Sequence, residues 1–170
     1  MADEARYEIY RFDDQIKTLQ EKAIVEVLTS TPGQKQSRLG SYGLGKLCEE
    51  LSEEVIRGMN GPLTRWATSC GLVITDLSRP HFRSEAFRLQ KGSALWPGEN
   101  STALLVPLSN GNAQIDLIPR GGSNSVISHN WDPRTVIHLH EMGFELRGNG
   151  SVRFIYVLFR TAPCPEYRVW

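Results

Sequence analysis

Apolar residues recur every three or four positions through the first third of the chain and every second position afterwards, and the period changes near Leu72. Ile16, Leu19, Ala23 and Val27, flanked by Ile24 and Leu28, form one face of a helix that Asp13 or Asp14 can cap and that Thr31-Pro32-Gly33 closes. After a loop of Gln, Lys, Ser and Gly, the residues Leu44, Leu47, Cys48, Leu51, Val55 and Met59 trace the stripe of a second helix. Glu49, Glu50, Glu53 and Glu54 lie opposite and read as a solvated face. Asn60-Gly61-Pro62 predicts the end of this helix, with a short third helix over 63–69 carrying Trp66.

Beyond Leu72, β-branched and aromatic residues become frequent and predict strands over 72–77, 82–89, 102–108, 113–118, 135–140 and 152–160. Asn110-Gly111 and Asn149-Gly150 have the chemistry of two-residue turns and predict two hairpins. In the first, Leu104, Val106 and Leu108 join Ala113, Ile115 and Leu117 on one apolar face, with Leu105, Gln114 and Asp116 on the other. In the second, His138, His140, Met142, Phe144 and Leu146 lie beside Arg153, Ile155, Val157 and Phe159, with a bulge at Gly143 interrupting the count. No polar linker separates helices from strands, and the helices carry apolar stripes that need cover. The sequence therefore predicts one α+β domain over 1–170. A helical layer (1–70) packs on a curved, mostly antiparallel sheet closed as a small barrel (71–162), and 163–170 form a tail.

The 19 Lys and Arg residues balance 19 Asp and Glu, so no net field attracts phosphates or anionic lipid, and neither nucleic acid nor membrane is an expected partner. Cys48, Cys70 and Cys164 are odd in number and form no Cys-x-x-Cys pair, which excludes a disulfide framework and a cysteine-rich zinc site and fits reduced thiols. Cys48 lies on the apolar stripe and is expected to be buried and inert. The polar start and the strand-length apolar runs predict a soluble, cytoplasmic protein. Neither a Gly-x-Ser-x-Gly elbow nor a Walker loop occurs, so those routes to nucleophilic or phosphate chemistry are not encoded.

The sharpest local feature is His138-Leu139-His140, because residues two apart on a strand share a face and both imidazoles can reach one ion or ligand. Glu141 and Glu145 follow. The run from His138 through Glu145 to Gly148 and Gly150 resembles the first metal-binding motif of cupins. The stretch Ile118-Pro119-Arg120-Gly121-Gly122-Ser123-Asn124 is similar to the Pro-x-Gly turn of their second motif, or to the corresponding turn of phytanoyl-CoA-dioxygenase-like oxygenases. The resemblance covers about residues 72–160 and implies a double-stranded β-helix. On the oxygenase pattern Arg153 stands near the arginine that pairs with 2-oxoglutarate. No His-x-Asp pair precedes the matching strands, Phe144 stands where the distal metal histidine belongs, and Asn124 stands where a cupin has a histidine. The resemblance thus implies the fold with a degenerate metal site, since non-haem iron needs two imidazoles and a carboxylate that converge.

These observations together predict a metal-independent, cofactor-free cyclase or isomerase, including the pericyclic Diels–Alder type, acting on a hydrophobic small molecule of a natural-product pathway. His138, His140, Glu145 and Arg153 are the candidate catalytic residues, and Trp96, Trp131, His129, Gln114, Asp116, Phe144 and Phe159 the candidate substrate-binding ones. One alternative is a non-haem iron or cupin-type oxygenase with iron or zinc at His138 and His140, joined by Glu145 or His129. Another is a non-catalytic small-ligand-binding protein, expected if Phe, Leu and Val side chains fill the barrel and the histidines face solvent. His81, Asp132 and Arg134 fall in or beside loops, and the hydrophobic Val169-Trp170 leaves a homodimer open.

Overall fold

The computed structural model describes residues 6–29, 34–36, 39–77, 83–109, 112–120 and 126–165. Asp13 caps the first helix, α1 (Asp14–Thr29), accepting the Ile16 N–H on Oδ1 at 2.9 Å. The second, α2 (Lys46–Ser69), has no side-chain cap of its own. Glu26 of α1 supplies one across the helix pair, accepting the N–H groups of Leu47 (2.9 Å) and Cys48 (3.3 Å), where a carboxylate complements the positive helix end. Cys48 is buried, and burial, followed by the charge of Glu26, pushes its thiol up to about 12, as expected of an inert cysteine. The predicted break at Asn60-Gly61-Pro62 does not occur. Pro62 lies inside one continuous helix, whose buried stripe runs on through Leu63, Trp66 and Ala67 and holds the turn that a proline alone would break.

The strands are β1 (Tyr7–Arg11), β2 (Gln34–Gln36), β3 (Leu39–Gly43), β4 (Leu72–Ile74), β5 (Arg83–Gln90), β6 (Ala94–Leu95), β7 (Ser101–Pro107), β8 (Gln114–Pro119), β9 (Ile127–Asn130), β10 (Thr135–His140), β11 (Met142–Arg147) and β12 (Ser151–Pro163). They form two antiparallel sheets, a major one ordered β1-β10-β7-β12-β5-β3-β2, with β4 on β12, and a minor one ordered β6-β11-β8-β9. The layer assigned to helices alone therefore contributes three strands to the major sheet.

Neither sheet closes into a barrel, which corrects that expectation: the two remain separate and pack face to face. Leu104, Val106, Ile155, Val157 and Phe159 cover the helices with one face of the major sheet. Leu105, Ile137, Leu139 and Phe154 meet Ile115, Leu117, Met142 and Phe144 of the minor sheet with the other. Both predicted hairpins fail for one reason. β7 and β8 belong to different sheets, as do β11 and β12, so each connection crosses between sheets instead of pairing its own ends. Asn110-Gly111 lies outside the described residues. In the second connection Gly148 and Gly150 take φ of 87° and 105°, so the turn chemistry is present while the pairing it suggested is not. The interruption expected at Gly143 falls at Glu141, which separates β10 from β11 with φ of 53°. Among the described residues no helix is long and apolar enough to cross a membrane.

Candidate functional site

The two histidines share a face, as a two-residue spacing requires, but it is the face under α2. His138 is fully buried, with its ring edge-on to Trp66 at 4.5 Å between centroids, and His140 meets the same indole at 4.7 Å. The Thr102 hydroxyl gives its proton to the Leu139 carbonyl (2.9 Å), so it accepts from Nε2–H of His138, which is thereby fixed as the Nε2-protonated tautomer. Burial first, and His140 second, push the His138 pKa down to about 3.

The other sequence candidates are dispersed. Glu145 projects from the outer face of the minor sheet, opposite Asp116, which accepts from Ser128 Oγ at 2.6 Å; exposed Gln114 bonds Asn130 nearby. The whole sandwich separates this face from the histidine pair. Arg153 is on the helix face of β12, where its Nε donates to the Tyr42 hydroxyl at 3.2 Å, and Phe159 is buried on that face. His129 packs edge-on to Tyr7 (5.2 Å) and joins the rims of the two sheets. Trp131 is 3% exposed and donates from Nε1 to the Ser109 carbonyl at 2.9 Å. Asp132 pairs with Arg134, which holds its carboxyl below the usual range. His81 and Asn124 lie outside the described residues.

Phe144, Phe154, Trp131, Phe87 and Tyr156 fill the space between the sheets, and Phe154 touches the other four rings. Trp96 lies outside that space, across Gly143 on the outer face of β11, where any Cβ would collide with the indole. Gly143→Ala is expected to destabilise the fold by about 1–3 kcal/mol through overpacking. Urea denaturation of Gly143→Ala alone and combined with Trp96→Ala checks this, since the clash predicts that the second change absorbs most of the cost of the first.

The most concentrated chemistry in the described residues is a cleft of about 380 Å³ between the β6–β7 loop and the β10–β11 turn. His140, Arg120, Glu99, Asn100 and Glu141 line it. Backbone bonds fasten the rim: Arg120 N–H to Glu141 O (2.9 Å) and Thr161 N–H to Asn100 O (2.8 Å). Arg120 Nη2 also donates to the Pro97 carbonyl at 2.9 Å. Asn100 and Glu141, each at φ 53°, are the only non-glycine residues with positive φ among the described residues, and both are in this wall. Backbone strain of this kind concentrates at functional sites. Burial lowers the His140 pKa, against the opposing pull of Glu141, and its Nδ1 is buried without a partner. A neutral imidazole, one guanidinium and two carboxylates thus line one cleft. Sequence reading singled out His140 and Glu141 here and met Arg120 only within the stretch similar to a Pro-x-Gly turn; Glu99 and Asn100 carried no signal beyond turn-like polarity.

The arrangement of strands is that of a double-stranded β-helix, and the solved structures similar to it include 2-oxoglutarate/Fe(II) oxygenases. HygX from Streptomyces hygroscopicus, solved with nickel and 2-oxoglutarate bound, matches with TM-score 0.59 at 11% identity, over 91% of this chain and 82% of its own. A Trichoplax adhaerens prolyl hydroxylase in complex with a hypoxia inducible factor peptide matches with TM-score 0.58 at 13% identity (93% and 84% covered). A Pseudomonas putida prolyl-4-hydroxylase matches with TM-score 0.58 at 11% identity (91% of each). No protein-family model matches the chain, and no curated protein matches it significantly.

These likenesses correct the expected activity. The solved structures that the chain matches here are oxygenases, none of them a cyclase, isomerase or Diels–Alder catalyst, and the oily hollow required of a cofactor-free cyclase is packed with aromatic rings. The expectation of no cofactor falls with it, since HygX holds nickel and 2-oxoglutarate on this scaffold. The donors proposed from sequence nevertheless do not fit a metal. His138 spends Nε2 on Thr102, Glu145 is on the far sheet, and among the described residues no three His, Cys, Asp or Glu side chains cluster to hold an ion.

Proposed function

We propose that the chain is a small-ligand-binding protein built on the oxygenase fold, with its ligand in the cleft between the β6–β7 loop and Glu141. The convergence of both strained non-glycine residues on the one cleft that also holds His140 and Arg120 carries this reading. Its volume lies at the lower end of ligand pockets, and its lining suits a small polar molecule. An amine would face Glu99 and Glu141, and a carbonyl or carboxylate would face Arg120. Neutral His140 would supply one further hydrogen bond.

A thermal-shift panel of free amino acids and small amino alcohols tests the reading. At least one is expected to stabilise the protein and to lose that effect in Arg120→Ala and His140→Ala; a panel without a stabiliser, or one whose stabiliser ignores both variants, overturns it. Glu141→Gly separates strain from function. Relieving a left-handed glutamate is expected to raise the unfolding midpoint by about 2–8 °C, equivalent to about 1–2 kcal/mol, while weakening the ligand.

A second reading, a metal-dependent oxygenase, is favoured by the fold it shares with HygX and the prolyl hydroxylases. Anaerobic calorimetry with Fe(II) and 2-oxoglutarate distinguishes the two: stoichiometric iron binding lost in His140→Ala supports the oxygenase and displaces the binding module.

A further inference from the structure

We infer a separate oxyanion-binding site at the other end of β12, formed by Arg88, Arg153 and Tyr42. Arg88 and Arg153 are directly opposite each other on the antiparallel β5 and β12, on the face turned to the helices. Directly opposed like charges destabilise a sheet, yet among the described residues neither guanidinium has a carboxylate partner. The Nε of Arg88 is buried with no hydrogen-bond acceptor, a cost that a native fold rarely leaves standing.

The neighbouring strand is shaped around this pair. Register shifts between Ser41 and Gly43 make Tyr42 the extra residue of a β-bulge on β3. Ser41 Oγ fixes the bulge by accepting the Gly43 N–H at 3.2 Å, and Gly43 takes φ 69°. Bulges re-aim a side chain, and here the Tyr42 hydroxyl reaches Arg153 Nε, accepting its proton and leaving its own O–H free to donate. Gly40, opposite Arg88, puts no side chain in the way.

Two guanidinium forks and a phenolic O–H are the donors that a carboxylate or phosphate group of a small molecule requires, and such a group would both neutralise the repulsion and satisfy Arg88. At about 3.3 Å per residue, the stretch of β12 from Arg153 to Thr161 in the cleft wall puts the two sites about 26 Å apart.

Calorimetry and thermal unfolding with sodium phosphate and with sodium malonate, at constant ionic strength, test the site. Saturable binding of one or both is expected, with a midpoint rise of about 5–10 °C at a hundredfold excess over Kd. Binding of phosphate alone assigns a phosphoryl ligand, and of malonate alone a carboxylate. Arg88→Gln is expected to bind at least tenfold more weakly while its ligand-free midpoint equals or exceeds that of the parent, because the repulsion is gone. Arg153→Lys keeps the charge and loses the fork, and is expected to bind at least tenfold more weakly. Absence of saturable binding at millimolar anion, or undiminished binding by folded Arg88→Gln, overturns the proposal.

Discussion

Replacing Phe154 by alanine is expected to cost about 3–5 kcal/mol, the range for a large aromatic removed from a rigid core. Phe154 is fully buried and meets Phe144 at 5.2 Å, Phe87 at 5.9 Å, Trp131 at 6.3 Å and Tyr156 at 6.5 Å between ring centroids, three of the four near-perpendicular. Edge-to-face contacts of this kind add to the burial itself. Among the described residues no other ring touches all of these, so Phe154 joins two sheets that share no strand pairing. Urea denaturation with an unchanged m-value measures the loss, and a loss under about 1 kcal/mol would show that the sheets are not held together at this ring. The hole left behind is apolar, so benzene is expected to raise the midpoint of Phe154→Ala and leave the parent unaffected.

The same packing explains what the sequence resemblance meant. It put Phe144 where an oxygenase has its distal metal histidine, and the structure puts that ring in the intersheet core, paired across β11 with Leu95 and Leu117. The scaffold was legible from the strand pattern and the departures from the metal motif. The consequence for function was not: degraded metal positions suggested an emptied pocket, whereas the space was taken by phenylalanine.

Face assignment shows why the rest was hidden. Residues 102–108 are buried without exception, because helices cover one side of β7 and the minor sheet the other, so alternation cannot say which residue points where. The same holds for Val136 to Leu139 of β10, and it is why His138 was readable as sharing a face with His140 but not as facing Trp66. Asn-Gly turns specify a reversal of direction and leave the partner strand unspecified, and here successive strands change sheets. Helices, whose stripes have one covered side, were read nearly as they stand. The missed residue there was Pro62, whose local veto lost to burial of Leu63 and Trp66.

The buried His138 makes the fold acid-sensitive in a predictable direction. In the unfolded chain its imidazole protonates near 6.5, whereas in the folded chain burial and His140 hold it down to about 3. Between these values the unfolded state takes up a proton that the folded state refuses. Its contribution is thus fully present above about pH 6.5 and declines as the pH falls toward 3, by up to about 1.4 kcal/mol per pH unit. By pH 5 the expected loss is about 2 kcal/mol, and His140, lowered mainly by burial, acts in the same direction. Protonation would also leave a buried Nδ1–H with no acceptor, since that nitrogen has no partner now. Urea midpoints between pH 7.5 and 4.5 for the parent and for His138→Gln measure the effect. The glutamine amide can still donate to Thr102 and does not titrate, so the variant is expected to be less stable at pH 7.5 but to lose about one proton's worth of slope between pH 6.5 and 5. Equal slopes in the two proteins would mean that His138 titrates alike in the folded and unfolded chains, and hence that the helix-covered face is open to water.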